Sequence, residues 1–216
     1  LVGMVDAAIG GKTGVNLAAG KNLVGAFWQP KAVICDTSFL DTLPDKEIRC
    51  GHGEMAKYHF LTGDDLVSLE LDDRVARCVQ IKADIVASDE REGGLRALLN
   101  YGHTLGHAVE IETNFALAHG EAVAIGLIFA SKLAHSLGRV PQERVDYHTH
   151  VVGEIYGLQT AIPKSCSLDR LMTLMAKDKK AVDGLTFVLD GPRGVETVAG
   201  IEPQIVHQTL STMEVL

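Results

Sequence analysis

From about Pro44 onward, apolar residues recur three and four apart in one long run after another. The spacing predicts helices over 45–61, 64–89, 95–113, 119–137, 141–156 and 168–176. A succession of this kind leaves little room for any architecture but a packed helical array. Pro141 fits the first turn of one helix, and Gly138 fits the stop of the helix before it. Residues 184–189 and 194–198 read as a small hairpin turned through Asp190-Gly191-Pro192-Arg193, and 202–215 as a last helix. Ahead of Pro44 the sequence is glycine-rich and short in period, with one strand predicted over 31–36. Residues 1–43 therefore read as the end of an α/β unit and 44–216 as a helical domain. Leu1-Val2-Gly3-Met4-Val5-Asp6 has the character of the inside of an element, so further sequence is expected ahead of it.

A chain of 216 residues, 46% of them apolar, can bury a sizeable core. Twenty basic against 28 acidic residues give a net charge of −8, which argues against a nucleic-acid or anionic-membrane surface. An anionic ligand then needs a local cluster of lysines and arginines. Cys35, Cys50, Cys78 and Cys166 form no C-x-x-C pair, and no secretory leader is visible, so they read as free thiols of a cytoplasmic protein. The most apolar run, 119–137, carries Lys132 and His135 and is too short and interrupted to span a bilayer.

Asn100-Tyr101-Gly102-His103-Thr104-Leu105-Gly106-His107 places two histidines four apart, on one helix face, where they can hold a divalent metal. Thr104 stands where a zinc-protease helix needs its glutamate base, so that mechanism is excluded. Gly102 and Gly106 leave room for a ligand or a neighbouring helix. His119, in Ala118-His119-Gly120-Glu121, and Glu54, in Gly51-His52-Gly53-Glu54-Met55-Ala56-Lys57, are the further candidate ligands. One carboxylate with imidazoles leaves coordination positions open, the arrangement of a catalytic site. Glu54 and Lys57 are three apart, which suits either a metal ligand beside an anion-reading cation or an exposed ion pair worth under about 1 kcal/mol. Gly10-Gly11-Lys12-Thr13-Gly14-Val15-Asn16, followed by Gly20-Lys21-Asn22, has the density of a phosphate-handling loop, though not the Walker A spacing; simple turn chemistry is the other reading. His52, His59, His135, His148, His150 and His207 match no metal motif, and Trp28 reads as packing.

Five of these segments, in order, resemble 3-dehydroquinate synthase: 5–16, Gly20-Lys21-Asn22, Gly53-Glu54-Met55-Ala56-Lys57, Arg96-Ala97-Leu98-Leu99-Asn100 running on through His107, and His119-Gly120-Glu121. The likeness covers 1–194 and weakens after Pro141. It implies a mainly α, multihelical carboxy-terminal domain, preceded by the end of a Rossmann-like α/β domain and carrying a small β-hairpin, from a two-domain homodimer that binds NAD and zinc or cobalt. It implies Glu54, His103 and His119 as metal ligands and His107 as a polar residue beside them. Lys12 and Lys21 would lie on the cofactor side, with Phe39, Leu40, Asp41 and Thr42 contacting NAD. Asp6, Asn22, Lys57, Arg96, Asn100 and one lysine of Asp178-Lys179-Lys180, taken as Lys179, would contact a phosphorylated sugar-acid substrate. The implied reaction converts 3-deoxy-D-arabino-heptulosonate 7-phosphate to 3-dehydroquinate and phosphate, on the route to chorismate and the aromatic amino acids. With most of the NAD domain absent, the isolated chain is expected to be inactive. The rival readings are a related sugar-phosphate cyclase, a metal-dependent polyol dehydrogenase and a non-catalytic metal-binding fragment.

Overall fold

The computed structural model describes residues 1–17, 20–91, 93–178 and 184–216. Seven α-helices dominate it: α1 Asp45–Thr62, α2 Leu71–Ser88, α3 His103–Glu112, α4 His119–Ser136, α5 Gln142–Thr149, α6 Leu168–Asp178 and α7 Pro203–Ser211. Two antiparallel pairs complete it, β1 Lys12–Leu17 with β2 Gly20–Phe27, and β3 Leu185–Leu189 with β4 Glu196–Ile201. The mainly α architecture with a small carboxy-terminal hairpin is the one expected.

Helix α4 is the axis of the core. Thirteen of its 18 residues are buried, because it is apolar all round and α1, α3, α5 and α7 cover it. Glycines let its neighbours approach to backbone distance. A Cβ on Gly120 would overlap the Cys50 carbonyl of α1, one on Gly53 would overlap the Gly120 carbonyl, and one on Gly126 the Gly102 carbonyl. Gly102 and Gly106 thus make room for α4 rather than for a ligand.

Several helix limits differ from the periodicity, each for a local reason. Gly102, at φ +78°, breaks the run 95–113 into a 3₁₀ segment, Leu95–Asn100, and α3, so that His103 opens its helix. The run 64–89 begins with a 3₁₀ turn, Leu66–Ser68, before α2. Helix α5 passes into a π-helical stretch, His150–Ile155. Helix α7 stops at Ser211 because Val215 instead bridges Ile162. Pro141 caps α5, and Gly138 at φ +68° follows α4, as the sequence indicated.

The front of the chain corrects two expectations. Residues 31–36 form no strand: they run irregularly, with Ile34 91% exposed, because β2 is already paired with β1 and no other described strand lies there to complete a ladder. The glycine-rich segment is a hairpin, entered through Gly10 and Gly11 at positive φ, with Lys12 paired opposite Phe27. Trp28 is 80% exposed and does not pack. Leu1 is buried in the helical core, as is Val5 at the middle of a π-helical turn, Gly3–Ala7, that lies against α1 and α2. The four cysteines are free thiols, Cys50 and Cys78 buried, Cys35 and Cys166 half-buried.

Behind the site, His148 is fully buried and stacked on Phe60. Its Nδ1 donates to the Arg144 carbonyl (2.8 Å), and its Nε2 lies 2.9 Å from the Tyr101 hydroxyl, which can donate to it when the ring is neutral. Burial holds its pKa down at about 4. Between its ordinary value near 6.5 and about 4, the unfolded chain takes up a proton that the folded ring refuses. This contribution, about 3 kcal/mol at most, is therefore complete above pH 6.5 and disappears as pH falls towards 4. Urea unfolding across that interval should show a shallower pH dependence in His148→Gln; parallel profiles would refute the assignment.

Candidate metal and substrate site

Three segments converge at one end of α4. Glu54 lies in the middle of α1, 1% exposed, while His103 opens α3 and His119 opens α4. The start of α4 is held in place by Glu121, whose carboxylate accepts from the Ala118 N–H (3.2 Å) and from Arg49 Nε (3.0 Å). Because Gly53 and Gly120 bring α1 and α4 together, the residue after one glycine can face the residue before the other. Glu54 Oε1 consequently lies 3.0 Å from His119 Nε2 and 3.5 Å from His103 Nε2.

The donor chemistry fits a divalent cation. His103 Nδ1 is 3.0 Å from the Tyr101 carbonyl, which can only accept, so Nδ1 carries a proton and Nε2 is the nitrogen turned to the Glu54 carboxylate. A carboxylate oxygen with two imidazole nitrogens turned to it is a donor set that a divalent cation can share in place of the ring protons. One ligand atom from each of Glu54, His103 and His119 lies within 4.8 Å of the others. His107, Glu110 and His119 satisfy the same criterion, and the His107 ring centroid is 5.4 Å from that of His103 and 5.9 Å from that of His119. His119 stands between carboxylates, with Glu110 Oε2 3.1 Å from Nδ1. Burial works against its charge, but Glu110 and Glu54 overcome that and raise its pKa to about 9.

Beside the ligand set lies a cationic cavity of about 140 Å³, lined by Asp6, Lys12, Lys57, Lys82, Arg96, Leu99, Asn100 and His103. Lys57, 1% exposed, links the cavity to the ligand set, 2.7 Å from Asp6 Oδ2 and 2.5 Å from Glu54 Oε2. The Glu54–Lys57 pair is therefore buried, not a surface ion pair. Burial opposes both charges, yet Asp6 and Glu54 hold Lys57 well above its ordinary value, while Lys57 and the two histidines hold Glu54 well below. Lys82 also pairs with Asp6, and its Nζ donates to the Asp6 carbonyl (2.6 Å); burial nevertheless leaves its pKa lowered. Tyr58 donates to Asp6 Oδ2 at 3.0 Å. Arg96, 1% exposed, donates to the Gly10 carbonyl (2.7 Å) and to that of Glu90. A wider groove of about 430 Å³ along the β1–β2 hairpin has, among the described residues, Lys12 as its one charged lining residue and no ligand set.

The structure thus gathers Glu54, His103, His107 and His119, and beside them Asp6, Lys12, Lys57, Arg96 and Asn100. It does not bring Phe39, Leu40, Asp41 or Thr42 to this cavity; they form a separate 3₁₀ turn, with Phe39 70% exposed. Lys21 and Asn22 lie on β2, and nothing is described of their side chains; Lys179 and Lys180 fall outside the described residues. Sequence reasoning missed Lys82 and Glu110. Lys82 lies on the buried stripe of α2 with Val75, Cys78 and Val86, and a lysine on an apolar stripe was the available signal. Glu110 continues the face of His103 and His107 by one turn.

Two solved cyclase structures share this fold. A 2-deoxy-scyllo-inosose synthase, complexed with carbaglucose-6-phosphate, NAD+ and Co2+, superposes with a TM-score of 0.85 at 26% identity over 97% of this chain and 63% of its own. The 2-epi-5-epi-valiolone synthase of Streptomyces hygroscopicus, with NAD+ and Zn2+ bound, gives 0.78 at 26% identity over 98% of this chain and 63% of its own. The fold is that of the sugar-phosphate cyclases. Within that class, the model for the 3-dehydroquinate synthase C-terminal region matches residues 32–181, and the model for the N-terminal region matches 1–50. The chain belongs to the 3-dehydroquinate synthase family. A protein provisionally assigned as an aminodehydroquinate synthase in Amycolatopsis mediterranei is 54% identical over 213 residues, and the 3-dehydroquinate synthase of Nostoc punctiforme 43% over 232. These alignments cover 99% of this chain but only 60% and 64% of the relatives' lengths. Among the described residues, no helix is long and apolar enough to cross a membrane.

Proposed function

We propose that this chain is the metal- and substrate-binding part of a 3-dehydroquinate synthase. The observation that carries the reading is the Glu54–His103–His119 set beside a cavity bearing Lys12, Lys57, Lys82 and Arg96. The substrate, 3-deoxy-D-arabino-heptulosonate 7-phosphate, carries a carboxylate and a phosphate, and a cavity with four basic side chains suits such an anion. When bound, NAD supplies the hydride acceptor and the divalent metal an electrophile that acidifies the carbon beside the oxidised centre.

The chain's own residues then bind and orient. Lys57 and Arg96, with Asn100, grip the anionic substrate in a space with little room for water, while Asp6 holds Lys57 and Lys82 in register. His107, outside the ligand set, exchanges a proton with the substrate through a ring nitrogen. Asn22 and Lys179 complete the substrate contacts; Lys12, Lys21 and residues 39–42 form the cofactor side. Residues 1–43 are the tail of the NAD-binding unit and 44–216 the helical domain of a homodimer. The high identity to the Amycolatopsis protein favours a second reading, a cyclase for an amino-substituted heptulosonate phosphate. Competition between the two substrates for phosphate release by the complete enzyme separates them.

After exhaustive dialysis the wild-type chain should retain about one zinc per chain, and His103→Ala close to none, by elemental analysis. Zinc retained equally by both would overturn the ligand assignment. In the complete enzyme, His107→Ala should slow turnover far more than it lowers zinc content; an equal loss of both would make His107 a ligand.

A further inference from the structure

We infer that Glu110 is a positioning residue for the metal site: it sets the tautomer and the ring orientation of His119 and so determines how tightly the site closes on a divalent cation. The inference rests on the ligand set proposed above. Glu110 lies on α3, 4% exposed, with Oε2 3.1 Å from His119 Nδ1. A carboxylate can only accept, so Nδ1 carries a proton directed at Glu110, and the proton on the opposite nitrogen is the one a metal displaces. Nε2 is the atom that faces Glu54.

The two histidines of the set are oriented by different means. His103 is 12% exposed in its side chain and is held by the Tyr101 carbonyl, whose residue is fully buried and anchored through its hydroxyl on His148. His119 is the first residue of α4, and its side chain is 30% exposed, so packing alone restrains it less. Glu110 supplies the restraint that packing leaves out. It reaches His119 from a different helix than Glu54 does, so the ring is gripped at both nitrogens, from α3 and from α1. A carboxylate behind a ligating imidazole also raises its basicity, and such outer partners typically change metal affinity 10–100-fold when removed.

The test is Co(II) titration of the wild-type chain, Glu110→Ala, Glu110→Gln and Glu54→Ala, following affinity and the visible d–d spectrum, with far-UV circular dichroism to establish folding. Glu110→Ala should bind Co(II) about 10–100-fold more weakly with an altered spectrum. Glu110→Gln, whose amide oxygen can still accept from Nδ1, should bind only several-fold more weakly and keep the wild-type bands. Glu54→Ala should lose binding. Wild-type affinity and spectrum in Glu110→Ala, or a loss in Glu110→Gln as large as in Glu110→Ala, would overturn the positioning role while leaving the ligand set standing. A folded wild-type chain that takes up no Co(II) would overturn the metal reading and this inference with it.

Discussion

Lys57→Met is expected to destabilise the chain by about 3–5 kcal/mol in urea unfolding, because it removes a buried cation from between the buried Glu54 and the half-buried Asp6 carboxylates. Methionine preserves most of the side-chain volume, so the loss reports charge rather than a cavity. The two carboxylates do not suffer equally. Asp6 keeps Lys82 and the Tyr58 hydroxyl, whereas Glu54 is left 1% exposed among histidines. The expected response of the variant is therefore specific: it should regain more stability from added zinc than the wild type does, since a cation at Glu54 replaces the one lost. A loss under about 1 kcal/mol would place Lys57 among ordinary surface ion pairs, contrary to its burial.

Gly120→Ala is expected to cost more than about 4 kcal/mol, or to abolish folding, because its Cβ would overlap the Cys50 backbone carbonyl, which cannot swing aside as a flexible side chain could. The helices would have to separate, and Glu54 and His119 would separate with them, so any folded fraction should bind metal weakly. Gly138→Ala is the control. Nothing lies within 4 Å of its added Cβ, and only its φ of +68° opposes the change, at about 1 kcal/mol. Similar losses in thermal or urea unfolding for the two variants would show that α1 and α4 are not held at backbone contact.

The helices were legible wherever one long apolar pattern sufficed. Helix α4 shows a nearly unbroken apolar sequence from Ala122 to Leu133, and α1 has an acidic first turn and Gly63 at its end. The set Glu54, His103 and His119 was approachable because the first two lie in recognisable helical contexts and the third opens a helix. What stayed hidden depended on partners distant in the chain. An apolar run such as 31–36 becomes a strand only if another strand pairs with it, and periodicity does not report the neighbour. Lys82 stood out only as a lysine on an apolar stripe, because its role in the site comes from Asp6, on a turn far away in sequence. The backbone contact of Gly53 with Gly120 is equally non-local, yet it sets the spacing of the site.

That spacing has a kinetic corollary. Glu54, His103 and His119 belong to three helices, each of which can form locally, but none of which carries more than one member of the set. No partly folded chain with undocked helices assembles the full set, since the three donors meet only after the segment between α1 and α3 has folded back and α4 has settled glycine to glycine on α1. Cation uptake during refolding would then time the final docking of helices, not the early collapse, and would run slower than the gain of helical circular dichroism.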